Sequence, residues 1–180
     1  SIYKTTVALF PKDYRAYNNL AEIAMRKGDN TTAKNYLRQA VALNSNAAEA
    51  NANLGILELQ NGSIKDAEVY FAKSSASNNA DEALGNLYIA QGKYDLAAQK
   101  LSKSVTNSAA LAQILSNNYS AAKNTLGNIK NADATTYYLK AVLAARMENS
   151  SEIAPNLTKS IELDPSFAKK IAGDVEFTKY

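Results

Sequence analysis

Cysteine, histidine and tryptophan are all missing from this chain of 180 residues. Without cysteine there is no disulfide framework, no thiolate nucleophile and no zinc finger. Without histidine there is no Ser-His-Asp triad, no imidazole acid–base chemistry and no imidazole-ligated metal. No run of 18 apolar residues occurs, so no segment is expected to span a membrane. Ser1 to Phe10, with Lys4 and two threonines, lacks the apolar core of a signal peptide. Excess charge is lacking too. Twenty Lys+Arg against seventeen Asp+Glu leave a net +3, too evenly mixed to point to nucleic acid or an anionic membrane surface. No G-x-x-x-x-G-K-[ST] phosphate loop exists among the seven glycines.

What is abundant is alanine, and with it asparagine. Alanine has the best intrinsic helix propensity. Asparagine competes for backbone groups and tolerates left-handed conformations, so it favours caps and turns. The length corresponds to about 1.2 average domains, which leaves room for one compact domain or one repeat array.

A repeat is present. Gly28, Gly62 and Gly92 each stand five residues before an alanine (Ala33, Ala67, Ala97). Four residues after each alanine comes a large apolar residue: Leu37, Phe71, Leu101. Eight residues before each glycine stands a leucine followed by a small residue: Leu20-Ala21, Leu54-Gly55, Leu84-Gly85. Small residues belong where two helices cross closely, and large ones fill the gap beside them. The spaced glycines supply the left-handed turn that ends the first helix of each pair. The glycine spacing is 62 − 28 = 34, then 92 − 62 = 30.

These positions resemble the tetratricopeptide repeat, with its 34-residue period and W-x2-L-G-x2-Y…A-x3-F…P signature. The first full copy reads Tyr17-x2-Leu20-Ala21-x2-Ala24, Gly28, Ala33-x3-Leu37-x2-Ala40. A fourth unit follows in degraded form, with Asn117 in the glycine slot and Ala122-x3-Leu126 behind it. Its spacing, 117 − 92 = 25, predicts a short first helix near Ser108 to Ser116. A fifth unit carries Tyr138, Leu139 and Leu143 in its first helix and Leu157, Ile161 and Leu163 in its second, with one extra residue near Met147 to Ser150 breaking register. Phe167, Ile171, Val175 and Phe177 define a cap interrupted at Gly173. Tyr3 and Val7 fall on second-helix slots, so the chain is expected to open in mid-array as a piece of a longer protein.

The expected architecture is all-α, a right-handed α-solenoid of about five and a half antiparallel helix pairs with a C-terminal capping helix. The predicted segments are 1–11 (second helix of a truncated repeat), repeats at 14–47, 48–79, 80–106, 107–131 and 134–165, and a cap at 166–180. The spacing also predicts that first helices shorten beyond Asn79.

Little supports catalysis. With no His or Cys, an enzyme would need carboxylates, Lys or Tyr. Asp81 and Glu82 read as a helix cap and its favourable first-turn charge. Glu22, Glu49, Glu58 and Glu152 stand apart along the chain, and most of the tyrosines fall on repeat slots. No catalytic residue, metal ligand or cofactor is expected.

The resemblance implies an interaction scaffold, in which first helices line a concave groove for a protein or peptide. On that surface it places Arg15, Asn18, Asn19, Glu22 and Arg26, then Glu49, Asn53, Ile56 and Gln60, then Glu82 and Asn86. Asparagine amides can pair with both groups of a peptide backbone, and Asn18 and Asn53 are expected to face solvent for that purpose. The third unit carries Glu82 and Ala83 where some relatives clamp a carboxylate with basic residues, so that clamp is not expected. More narrowly, Phe10 to Leu20, Ala132 to Val142 and Asp174 to Tyr180 look like tetratricopeptide segments of outer-membrane-protein-A-like envelope proteins of Gram-negative bacteria. That likeness implies a periplasmic or outer-membrane-associated setting, the alternative being cytoplasmic. It also implies a protein, peptide or further domain of the same chain as partner. The competing reading is a structural spacer.

Overall fold

A computed structural model describes residues 2–74 and 78–180. Ser1, counted in the expected first helix, and the junction at 75–77 lie outside the described residues. Every regular element among the described residues is helical: α1 Ile2–Leu9, α2 Tyr14–Arg26, α3 Asn30–Leu43, α4 Ala48–Gln60, α5 Ile64–Lys73, α6 Asn78–Ala90, α7 Tyr94–Lys100, α8 Asn107–Leu115, α9 Tyr119–Asn128, α10 Ala134–Arg146, α11 Ile153–Leu163 and α12 Phe167–Ala172. Short 3-10 turns cover Ser150–Glu152 and Val175–Phe177. The chain divides into two units, Ser1–Leu84 and Gly85–Tyr180. In the first, α2 packs on α3 and α4 on α5. In the second, α8 packs on α9 and α10 on α11. Stacked antiparallel helix pairs of this kind are the α-solenoid architecture anticipated from the repeat.

The pairs turn where a residue can enter the left-handed region. Gly28, Gly62 and Gly92 have φ of 76°, 78° and 73°, and Asn117 has 61°. The fifth such residue is Glu148, at φ 56°. All five turns share one bonding pattern. At the first, Gly28 N–H donates to Met25 C=O and Asp29 N–H donates to Ala24 C=O. At the fifth, Glu148 N–H donates to Ala145 C=O and Asn149 N–H to Ala144 C=O. This pairing satisfies carbonyls that the helix end leaves open.

Glu148 corrects the expected register break. Counting from it, Ile153 stands at +5 and Leu157 at +9, the slots of Ala33 and Leu37 counted from Gly28. Ile153 is 3% exposed. There is no extra residue; a glutamate occupies the turn position, where sequence gives no cue.

The small/large pairing is also visible. A Cβ built on Gly55 would lie 2.5–2.9 Å from the Phe71 ring, and one on Gly85 2.5–2.8 Å from the Leu101 side chain. Phe71 and Leu101 are fully buried. The same slots elsewhere pair Ala21 with Leu37 and Ala110 with Leu126, all at most 2% exposed. The small residue is what lets the paired helices approach.

Several expectations need correction. First helices do not shorten progressively: among the described residues α2, α4, α6 and α10 each have 13 residues, and α8 is short, at 9. The lost residues fall mainly in second helices, which run 14, 10 and 7 residues in α3, α5 and α7. Asp81 is no cap, since α6 starts at Asn78 and places Asp81 within its first turn. The helix α1 forms and packs on α2, yet buries none of its residues, and Tyr3 is 36% exposed. Val175, expected to add to the cap's apolar face, is 80% exposed.

Side-chain caps reinforce the starts. Asp13, Asp29, Thr106 and Asn118 accept from backbone N–H groups of α2, α3, α8 and α9. Asp133 and Thr136 form a reciprocal capping box on α10. The backbone N–H of Thr136 is the main reason that the Asp133 carboxyl sits below the usual aspartate range.

Candidate functional site

The predicted groove residues of the first unit lie on α2, α4 and the start of α6. Against the expectation that they face solvent, Asn18 and Asn53 are only 7% and 9% exposed. Asn53 Nδ2 donates to Asn18 Oδ1 at 3.1 Å and approaches Glu22 Oε1 at 3.5 Å. Asn18 Nδ2 donates to Glu22 Oε1 at 3.2 Å. The two amides and the carboxylate therefore tie α2 to α4. A neutral hydrogen bond of this kind contributes about 0.5–1.5 kcal/mol net, and one to a charged acceptor about 1.5–3 kcal/mol. Sequence spacing could put these residues on one face, but not show that they satisfy each other.

Beside this network lies a cleft of about 430 Å³, lined by Tyr14, Arg15, Asn18, Asn19 and Glu49 among others. Arg15 and Glu49 are both exposed at its rim and carry opposite charges. Arg15 is held locally: its Nε and Nη2 donate to the Asp13 carboxylate, each at 3.0 Å. That contact lowers the Asp13 pKa and raises that of Arg15. Asn19, Glu22 and Ile56 are half-buried, and Arg26 lies at the end of α2. Gln60 accepts from Asn30 Nδ2 at 3.1 Å, at the end of α4. Glu82 is half-buried in the first unit, and Asn86 is exposed in the second.

Two features escaped the sequence reading. Glu58 is 6% exposed and forms an ion pair with Lys34 between α4 and α3. In the second unit Tyr138 and Arg146, both on α10, bind the acidic side chains of Asp174 and Glu176. Lys34 and Glu58 sit in different repeats, and Glu176 lies beyond the whole of α11 and α12 from Arg146; no local pattern announces such pairs. Among the described residues there is no cluster of three acidic, His or Cys side chains that could hold a metal, and no helix long and apolar enough to cross a membrane.

The stacked pairs, the five left-handed turns and the matched small/large slots define a helical-repeat fold. The tetratricopeptide repeat family model matches residues 23–81. Solved structures share the fold across nearly the whole chain. The tetratricopeptide protein YrrB, described as having an unusual peptide-binding site, is 19% identical with a TM-score of 0.69, covering 94% of this chain and 98% of its own. PilF of Pseudomonas aeruginosa is 16% identical with a TM-score of 0.73, covering 98% and 85%. PilW, a type IV pilus biogenesis factor, is 19% identical with a TM-score of 0.65, covering 98% and 86%. A search of curated proteins by sequence matched none. The fold is thus that of tetratricopeptide repeat proteins, and residues 23–81 carry the family's own sequence signal.

Proposed function

We propose that the chain is a non-catalytic scaffold that holds a peptide or protein segment against the α2–α4 face of its first unit. The observation that carries this reading is the cleft of about 430 Å³ flanked by Arg15 and Glu49. The Asn18–Asn53–Glu22 network makes one wall rigid before any ligand arrives, so little ordering is needed on binding. Asn19 lines the same cleft and offers an amide able to pair with a peptide backbone. The likeness to a tetratricopeptide protein described by its peptide-binding site supports the reading.

A cell-envelope setting belongs to the same proposal, including the outer-membrane-protein-A-like neighbourhood implied by the sequence. The type IV pilus biogenesis factor among its structural neighbours supports it. Replacing Arg15, Asn19 and Glu49 together by Ala tests the cleft. Co-purifying partners of the wild type should be lost or weakened at least tenfold, with the helical circular dichroism unchanged. Equal capture by both proteins would move the contact to another face and favour the spacer reading.

A further inference from the structure

Lysine recurs at one repeat position with two different fates. Counted from the left-handed turn residue of its own repeat, Lys34 is at +6 from Gly28 and Lys123 at +6 from Asn117. The same position holds Glu68, Ala98 and Ala154 after Gly62, Gly92 and Glu148. In the first unit Lys34 reaches from α3 to Glu58 on α4, four residues before Gly62. Glu58 is 6% exposed, so its carboxylate is largely withdrawn from water and Lys34 is its counter-ion. The cleft at this seam, about 370 Å³, is lined by Lys34 and Glu58 together.

The matching seam of the second unit lacks that carboxylate. Four residues before Glu148, the place of Glu58 is taken by Ala144 on α10. The apolar frame is kept: Leu126 answers to Leu37 and Leu143 to Leu57, all at most 5% exposed. Lys123 and Ala144 line a cavity of about 340 Å³ between α9, α10 and the start of α11, with Leu126, Leu143 and Met147 as its apolar part. Lys140 lines it as well, its Nζ 4.9 Å from the centroid of the Tyr137 ring. Neither lysine makes an ion pair among the described residues. The one carboxylate among the lining residues is Glu152, exposed to solvent, so cations outnumber anions two to one.

Asn149 and Asn156 line the same cavity with amide groups to spare. Asn149 Oδ1 accepts from Ser151 Oγ at 2.9 Å, which leaves its Nδ2 to donate. Asn156 Nδ2 donates to Glu152 C=O at 2.7 Å, which leaves its Oδ1 to accept. One donor and one acceptor suit the C=O and N–H of a polypeptide backbone.

We propose that this cavity binds a carboxylate, and that its occupant is a glutamate side chain of a partner polypeptide, which supplies to Lys123 and Lys140 the group that Glu58 supplies to Lys34. The apolar part of the cavity receives the methylenes of that side chain, and the two amides hold its backbone. The charge-assisted contact sets the preference, because it is stronger than a neutral one. The site lies in the second unit and shares no residue with the α2–α4 cleft, so the two readings fail separately.

The test titrates the full chain, labelled with nitrogen-15, with N-acetylglutamate N-methylamide and, in parallel, with its glutamine counterpart and with butyrate. The glutamate compound should shift the backbone amides of Lys123, Ala144 and Asn149. It should bind about five- to tenfold more tightly than the glutamine compound, the margin of a charged over a neutral hydrogen bond. Lys123→Gln, a change at an exposed side chain, should erase that margin. Ala144→Glu places a carboxylate on α10 and should close the site. It should also unfold at higher urea than Ala144→Gln, and that advantage should vanish in combination with Lys123→Gln. If the Ala144 variants do not fold, the Lys123→Gln titration decides alone. Equal binding of the glutamate and glutamine compounds, shifts confined to other residues, or no binding by any compound overturns the proposal. Butyrate binding more tightly than the glutamate compound overturns the polypeptide assignment and gives the site to a free carboxylate.

Discussion

Gly55→Ala isolates the close crossing of α4 and α5. The added Cβ would lie 2.5–2.9 Å from three atoms of the Phe71 ring, closer than real Cβ atoms approach anything. Phe71 is fully buried, so its ring has no free space to enter. Overpacking of this size costs about 1–3 kcal/mol. Against it stands a helix-propensity gain of about 1 kcal/mol for replacing glycine inside a helix. Gly127, inside α9 and with nothing within 4 Å of its Cβ position, supplies that gain without the clash. Gly127→Ala should therefore stabilise the protein by roughly 0.5–1 kcal/mol, and Gly55→Ala should fall below it by about 1–3 kcal/mol. At this chain length that gap is roughly 2–12 °C in Tm. Urea unfolding followed by circular dichroism measures it. Phe71→Leu combined with Gly55→Ala recreates the Ala21/Leu37 pairing that the chain already uses. The double variant should recover part of the loss, a coupling of about 0.5–3 kcal/mol between touching residues. If Gly55→Ala and Gly127→Ala stabilise equally, the helices do not cross closely at Gly55 and the assigned register is wrong.

Glu148→Gly should stabilise by about 0.5–1 kcal/mol, because a side chain in the left-handed region is strained; an unchanged urea midpoint would argue against the fifth turn. Asn53→Ala should destabilise by about 1–3 kcal/mol by stranding Asn18 Oδ1 in a buried setting, whereas Glu49→Ala, on the rim of the cleft, should stay within about 0.5 kcal/mol. Acid should weaken the helix starts. The Asp133 carboxyl titrates below its ordinary value of about 3.9, so its contribution is complete above that pH and lost as the pH falls through the lower folded-state value. Asp133→Asn should flatten the fall in stability below about pH 4, as read from unfolding midpoints across pH.

Much of this fold is a local matter, and the sequence by itself determined it. A glycine or asparagine able to enter the left-handed region marks four of the five turns, and the small residue that follows the upstream leucine sets which helix faces cross. Those cues depend on backbone sterics within one pair, so Gly28, Ala33 and Leu37 suffice to recognise the first pair. What only the tertiary structure decided depends on residues far apart in the chain. Asn18 and Asn53 look like free amides in sequence, yet they satisfy each other across α2 and α4. Glu58 looks isolated, yet Lys34 reaches it from the preceding helix. Glu148 gives no local sign of its positive φ; the packing of Ile153 in the core holds the turn in that register. The docking of Asp174 to Phe177 on α10 is of the same kind, because charge and ring complementarity act only once folding has brought the surfaces together. Periodicity reports which face a side chain shares, whereas its partner is chosen by the way the chain closes on itself.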